Sequence, residues 1–246
     1  MAMDWQRPEK NEIMPGTLYL VSTPIGNLRD ISLRALDILC AVDVIAAEDT
    51  RTSRILLTQY GIRTPLISYH DHNESSVAPQ IVARLQQGQS VALISDAGTP
   101  GISDPGFYLV RAAVTAGLAV IAIPGATAFV PALIISGLPC DRFVFEGFLP
   151  HKKGRRKRLE QLCDETRTLV FYESPQRIEK LLHELYEILG DRPMVLVREI
   201  SKKFEQTIRG NLSGLLNEMA GIPRKGEFVV LAGGAGKHPQ EKETTK

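Results

Sequence analysis

A twelve-residue loop, Ser95–Gly106, concentrates the residue types that bring a backbone close to a ligand. Its sequence, SDAGTPGISDPG, holds three glycines, two prolines and two aspartates. Glycine allows positive φ and close approach, and proline fixes a turn. The loop follows an apolar, strand-like run, and ligands of open α/β sheets bind beyond the carboxyl ends of strands. We therefore expect a ligand site here, with Asp96 accepting from an amine or hydroxyl. A turn or helix-capping role for Asp96 is the alternative.

Carboxylates near the ends of other predicted strands are candidates for proton transfer, to which a positioned general base contributes about 10²–10⁴-fold. Arg51 could hold Asp49 ionised and orient a nucleotide, although a surface ion pair in a turn explains these two residues equally well. The sequence does not rank the candidate carboxylates, which are Glu48, Asp49, Glu173, Glu199 and Glu227.

One better-known motif is excluded, and another is disfavoured. The first Gly/Pro loop, residues 22–30, contains only Gly26, so it is not a GxGxxG dinucleotide loop. His70 and His72 have a spacing compatible with a metal, but no further cluster of ligands accompanies them. We expect no metal site, and we interpret residues 69–73 as a substrate-contacting loop or a helix cap.

Residues 151–158, called the basic segment below, contain six Lys or Arg in eight positions. Such a cluster is suited to RNA phosphates, although a solvated helix start is the plain alternative. Because no aromatic residue is interleaved, we expect it to position a backbone and not to stack on bases. The predicted RNA-binding residues are Lys152, Lys153, Arg155, Arg156, Lys157 and Arg158, extended by Arg177 and Lys202, and by Arg198 and Lys203.

The composition is that of an ordinary globular protein. The 246 residues are 43% hydrophobic and 23% charged, with a net charge of +1. We expect a cytoplasmic protein, because no apolar run has membrane-spanning length and no signal-peptide pattern is present. The three cysteines are widely spaced and fit neither a disulfide framework nor a zinc site.

The elements that must position these residues are strands alternating with helices. This pattern predicts a mostly parallel sheet in an N-terminal α/β domain and a mixed sheet in a C-terminal α/β domain. Residues 126–137 are apolar and predict a buried helix. The predicted divisions are a flexible N-terminus at 1–14, domains at 15–124 and 125–236, and a flexible tail at 237–246.

The ordered set of motifs resembles the tetrapyrrole-methylase superfamily, whose members use S-adenosylmethionine. The set comprises the first loop with Ile31–Leu36, the Ser95–Gly106 loop and Ile123–Ala128. Further segments resemble one branch, which 2′-O-methylates a cytidine of 16S rRNA. They are Ala47–Arg51, Ser68–Glu74, Phe171–Pro175, Val197–Glu199 and Lys225–Phe228.

The resemblance implies two α/β domains with a donor cleft between them, a homodimer, and the small ribosomal subunit as partner. Thr99 stands where tetrapyrrole relatives usually carry aspartate, which argues against a tetrapyrrole acceptor, and the resemblance implies an RNA acceptor near the decoding centre. The alternatives are a tetrapyrrole C-methyltransferase and a non-catalytic RNA-binding assembly factor. The implied donor-binding residues are Pro24, Asp96, Gly98, Thr99, Pro100, Ile102, Ser103, Thr127, Ala128, Tyr172, Glu173 and Ile200.

Overall fold

A computed structural model describes residues 13–236, which divide into one compact unit ending at Thr127 and a second beginning at Ala128. The predicted domain division falls after residue 124. The predicted flexible tail, and all of the predicted flexible N-terminus except residues 13 and 14, lie outside the described residues. No helix within residues 13–236 is long and apolar enough to cross a bilayer.

The first unit is built on a five-stranded parallel sheet with the order β3-β2-β4-β1-β5. Two apolar clusters cover its faces, one involving α1 and α2 and the other α3 and α4. The elements are β1 (Thr17–Val21), α1 (Leu33–Ala41), β2 (Val44–Ala47), α2 (Thr50–Gln59), β3 (Leu66–Ser68), α3 (Glu74–Gln86), β4 (Val91–Ile94), α4 (Phe107–Thr115) and β5 (Ala119–Ile123).

The second unit contains a mixed five-stranded sheet with the order β6-β7-β10-β8-β9, in which only β6 and β7 are parallel. Its main apolar cluster lies between the sheet and helices α6 to α8. The elements are α5 (Phe129–Ser136), β6 (Phe143–Phe148), α6 (Arg155–Gln161), β7 (Thr168–Glu173), α7 (Ile178–Leu189), β8 (Pro193–Arg198), β9 (Gln206–Asn211), α8 (Leu212–Glu218) and β10 (Phe228–Ala232).

The predicted fold class, two α/β units with a parallel and a mixed sheet, is confirmed. Two details differ from the prediction. Strand β3 was not predicted, because three residues at a sheet edge give no periodicity to recognise. Helix α5 is not buried on all sides, since Val130, Ile134 and Ile135 are exposed while Ala132 and Leu133 are buried.

Candidate functional site

The sheet order places the loops singled out from the sequence side by side. Strand β1 lies between β4 and β5, and all three are parallel, so the loops that follow them leave from one edge. These loops begin at Ser22, Ser95 and Pro124. The segments after β2 and β3 leave from the same edge, because both strands run parallel to β4. Five predicted motifs therefore meet at the carboxyl ends of one sheet.

Backbone hydrogen bonds join the first loop to the Ser95–Gly106 loop. The N–H of Thr23 donates to the carbonyl of Gly98 at 2.8 Å, and the N–H of Gly98 donates back at 3.0 Å. The Thr23 hydroxyl also donates to the carbonyl of Ser95 at 3.0 Å. Gly98 has a φ of +96°, a conformation that other residues rarely adopt. Pro24 and Pro100, on either side of this bridge, are buried.

The hydroxyl of Thr99 links all three loops. It lies 2.9 Å from the Ser22 hydroxyl and 2.7 Å from the Thr127 hydroxyl, and it donates to the carbonyl of Ala126 at 3.0 Å. Gly125 lies so close to this group that a Cβ there would be 2.7 Å from the Cβ of Ser22. A neutral hydroxyl network therefore joins the three loops at Thr99.

The outer part of the Ser95–Gly106 loop is more exposed than its base. Ile102 is half-buried and Ser103 is exposed. Ser103 has a φ of +64°, which is uncommon for a residue with a side chain. Strained backbone of this kind is concentrated at functional sites, so Ser103 supports interpreting this loop as a ligand contact.

Carboxyl groups cluster beside these loops and raise one another's pKa values. The Asp96 carboxylate accepts from the backbone N–H of Asp49 at 3.0 Å, and burial raises the pKa of Asp96. Burial also raises the pKa of Glu48. At Asp104, burial and the negative charge of Glu48 raise the pKa to about 7. Asp104 was not among the sequence candidates, because a sequence shows neither burial nor charges brought in by other strands.

Asp49 has a different environment from the other carboxylates. It caps α2 by accepting the N–H of Arg51 at 2.8 Å, and it accepts from the guanidinium of Arg51 at 3.1 and 2.6 Å. These hydrogen bonds hold the pKa of Asp49 at about 2, below its usual value of 3.8. Asp49 is therefore ionised and oriented, as the pairing with Arg51 predicts, but it is a weak base.

The segment after β3 combines a buried tyrosine with a polar turn. Tyr69 is fully buried, and its hydroxyl accepts from the N–H of Leu109 at 3.2 Å. The N–H of His70 donates to Asn73 at 2.8 Å. The described residues contain no group of three or more His, Cys, Asp and Glu side chains arranged to hold a metal ion.

In the second unit, Glu173 belongs to a buried ion-pair network and not to an accessible site. Its carboxylate accepts from both terminal nitrogens of Arg155 at 3.3 Å, from Arg177 at 2.7 Å and from the N–H of Ser174 at 2.8 Å. Arg155 also donates to Glu184 at 2.6 Å. The Glu173 side chain is fully buried, so its carboxylate is not presented to a donor or an acceptor, and its predicted catalytic or donor-binding role stays a prediction.

The same network covers part of the predicted RNA surface. Arg155 is buried and Arg177 is largely covered, so neither guanidinium is presented to a phosphate. Arg198 is also buried and donates to the carbonyl of Lys225 at 2.7 Å. Lys202 is held by Glu199 at 3.0 Å and by a second carboxylate at 2.9 Å. The exposed cations of the basic segment are Lys152, Lys153, Arg156, Lys157 and Arg158.

Two other predicted positions, Tyr172 and Glu199, support the backbone around them. The hydroxyl of Tyr172 accepts from the N–H of Phe129, the first residue of α5, whose preceding residue Ala128 offers no capping side chain. Burial raises the pKa of Glu199, but hydrogen bonds from Lys202 and from the backbone N–H of Glu227 lower it. The net effect is a pKa below the usual value.

The turn that contains Glu199 is strained. Glu199 and Ser201 have φ values of +53° and +65°, and the buried Ile200 lies between them. Positive φ at two residues with side chains, within three positions, indicates a turn held in place by its surroundings. The sequence motif at 197–199 gave no sign of this conformation.

Comparison with known proteins agrees with this architecture. Residues 17–216 match the family model described as "Tetrapyrrole (Corrin/Porphyrin) Methylases". "Ribosomal RNA small subunit methyltransferase I" of Xylella fastidiosa is 51% identical over 94% of this chain and 86% of its own length. The protein of the same name from Pasteurella multocida is 52% identical over 90% of this chain and 80% of its own length.

Solved structures with the same fold are more distant in sequence. A uroporphyrin-III-C-methyltransferase from Thermus thermophilus has a TM-score of 0.62 at 22% identity, covering 89% of this chain and 94% of its own. The cobalt precorrin-4 methyltransferase structure has a TM-score of 0.62 at 19% identity, covering 89% of this chain and 95% of its own. At these identities the likeness shows the fold alone.

Proposed function

Since the chain belongs to the tetrapyrrole methylase family, and within it to the ribosomal RNA small subunit methyltransferases I, we propose that it methylates 16S rRNA. The proposed reaction is 2′-O-methylation of one cytidine near the decoding centre of the small ribosomal subunit. The observation that carries the proposal is identity of about one half, over nine-tenths of the chain, to proteins of that name. The exposed cations of the basic segment are the charge that such an acceptor requires.

Methyltransferases of this family use S-adenosylmethionine, which when bound supplies a methyl group on a positively charged sulfur. The loops after β1, β4 and β5 fit this molecule, because they meet at the strand ends, where Gly98 has a φ of +96° and the space at Gly125 admits no side chain. We propose that Asp96 accepts hydrogen bonds from the amine or the ribose hydroxyls of the donor. Pro24, Pro100, Ile102 and Ser103 then border it.

Methyl transfer is a displacement in line, so most of the rate comes from holding the acceptor oxygen against the methyl carbon. The proton of the ribose hydroxyl must also leave. Among the candidate carboxylates, Glu48 fits this task best, because it is half-buried and burial raises its pKa. Glu173 is enclosed by arginines, and Asp49 is held ionised with a pKa of about 2.

The proposed function is tested with small subunits isolated from cells that lack this protein. The subunits are incubated with the purified protein and labelled S-adenosylmethionine, and methylated nucleotides of the rRNA are mapped. We expect one new 2′-O-methylcytidine in 16S rRNA, located at the decoding centre. Label on a base, on another rRNA, or only on an added tetrapyrrole would refute the proposal, and an absence of transfer together with RNA binding would favour the assembly factor.

The same reaction tests the role of Glu48. We expect Glu48→Gln to lower kcat by about 10²–10⁴-fold, with the KM for the donor changed by less than a few-fold. An unchanged kcat would exclude Glu48 as the base. We also propose that the protein works in the cytoplasm as a homodimer, as the family resemblance implies, and light scattering of the purified protein would test the dimer.

A further inference from the structure

Strand β6 contains an extra residue near its carboxyl end. Phe145 pairs with Val170 of β7, but the next pair is Gly147 with Phe171, so Glu146 has no partner in the register. Gly147 adopts a φ of +58°, a left-handed conformation that favours glycine. This is a β-bulge, a feature that redirects side chains and is common next to active sites.

The bulge determines the face on which Phe148 lies. Side chains alternate along a strand, so Phe148, three positions after Phe145, would otherwise point to the opposite face. With Glu146 as the extra residue, Phe148 pairs with Tyr172, which is two positions after the partner of Phe145. The ring contacts agree, since Tyr172 lies 5.1 Å from Phe145 and 5.5 Å from Phe148 between ring centroids.

The ring of Phe148 is exposed but supported from beneath. It is 52% exposed, whereas Tyr172 beside it is half-buried. Behind Tyr172, the rings of Phe145 and Phe129 stack at 4.6 Å. A single exposed aromatic side chain needs no explanation on its own. Here, however, the bulge places the exposed ring of Phe148 against a row of packed aromatic rings. The supported ring is a flat surface about as large as a base.

The basic segment follows this ring closely along the chain. Lys152 follows Phe148 by four positions, so their Cα atoms are within about 14 Å. The bulge residue Glu146 also binds the basic segment, because its two carboxylate oxygens accept from Arg158 at 2.6 Å each. Glu146 thus shifts Phe148 to the face of Tyr172 and holds helix α6 against the opposite face of the same edge strand.

We propose that Phe148 stacks on an unpaired base of the RNA whose phosphates contact the basic segment. Proteins bind single-stranded RNA by combining a positively charged surface with aromatic rings on which bases stack. This inference rests on the proposed function, since it names how the same RNA is held. It also departs from the sequence prediction of a surface without stacking, because the aromatic residue, Phe148, lies outside the basic segment in sequence.

The test is a binding titration with a fluorescently labelled, single-stranded 12-nucleotide oligoribonucleotide. We expect Phe148→Ala to weaken binding by about 5- to 150-fold without changing the slope of log K against log salt, because stacking releases no counterions. Phe148→Trp should restore binding, and Phe148→Leu should not. Phe143→Ala is the matched control, since Phe143 lies on the same strand and face but before the bulge, and it should bind within about two-fold of wild type.

A second probe removes the bases and keeps the phosphates. An abasic oligonucleotide of the same length should bind wild type and Phe148→Ala equally, because no base remains to stack. Weaker binding of the abasic probe by Phe148→Ala than by wild type, or equal affinity of wild type and Phe148→Ala for the normal probe, would overturn the inference. A change of oligomeric state in Phe148→Ala would also overturn it, by making Phe148 a contact between copies. If Phe148→Ala weakens binding as expected but subunits receive no methyl group, the inference stands and the proposed methylation fails.

Discussion

Glu146 and Arg158 form a two-pronged ion pair, with Nε and one terminal nitrogen of Arg158 each 2.6 Å from a carboxylate oxygen. Parallel hydrogen bonds of this kind fix orientation as well as distance. The pair connects a bulged edge strand to the basic segment, so the cations of α6 are carried on a positioned helix. The six cations of the basic segment therefore differ in role, although they are close together in sequence, because Arg158 holds the helix to the strand.

The exposed lysines of the basic segment should account for salt-dependent RNA binding. Each phosphate contact on a single strand contributes about 0.7 to the slope of log K against log salt. We expect the triple variant Lys152→Ala, Lys153→Ala, Lys157→Ala to flatten the slope by about 2, with donor affinity unchanged by calorimetry. A variant that removes the same charge from the first unit, at Arg34, Arg63 and Arg111, is the control. If this control variant flattened the slope as much as the lysine variant, the net charge of the protein, and not the position of the lysines, would explain RNA binding.

Arg155 should behave as a residue of the protein interior. Its replacement by alanine leaves the Glu173 carboxylate buried with one arginine fewer, and removing one partner of a buried ion pair costs about 3–5 kcal/mol. We expect the lower end of this range, about 3 kcal/mol, because Arg177 still contacts Glu173. Chemical denaturation measures the loss.

Arg156→Ala is the matched control for Arg155→Ala. Arg156 is the next residue on the same helix, and its pairs with Glu160 and Glu187 are exposed. Exposed ion pairs contribute about 0–1 kcal/mol. Equal losses of stability in the two variants would contradict the assignment of Arg155 to a buried network.

The contrast between Arg155 and Arg156 shows how far the sequence could predict this protein. Alternating apolar runs are enough to predict both sheets, and Gly/Pro loops at strand ends indicate the correct edge of the first sheet. Neighbouring cations in a run cannot be told apart, since which one faces inward depends on the packing of α6 against α7. The burial of Glu173 could not be predicted for the same reason, because a carboxylate at a strand end has the same sequence whether arginines enclose it or not.

The hydroxyl network of Thr99 should be required for donor binding. Thr99→Val keeps the side-chain shape but removes the contacts with Ser22, Thr127 and the carbonyl of Ala126. Each lost hydrogen bond costs about 1 kcal/mol, and a buried group left without a partner costs more. We expect donor affinity to fall at least about fivefold by calorimetry and Thr99→Ser to recover most of it. Wild-type affinity in Thr99→Val would show that the network does not shape the donor site.

Asp104 should make stability fall as the pH rises. Its pKa is about 7 in the folded chain and near 3.8 when unfolded, so between these values the folded state binds more protons. The stability contribution is complete below about pH 4 and is lost as the pH rises through 7. Asp104→Asn mimics the protonated form, so we expect it to raise the Tm more at pH 8 than at pH 5, because the stability that the wild type loses accumulates between about pH 4 and pH 7. An equal effect at both pH values would mean that Asp104 is already ionised at pH 5.

Gly226 should be intolerant of any side chain because Glu199 packs against it. A Cβ at Gly226 would overlap the Glu199 carboxyl group, and Gly226 has a φ of +90°. We expect Gly226→Ala to displace that carboxylate from Lys202 and from the N–H of Glu227, at a cost of about 1–3 kcal/mol in chemical denaturation. Gly214 in α8 has open space around it, so Gly214→Ala should instead stabilise the chain by up to about 1 kcal/mol. A neutral Gly226→Ala would show that the strained turn at Glu199 rearranges freely, which its backbone conformation argues against.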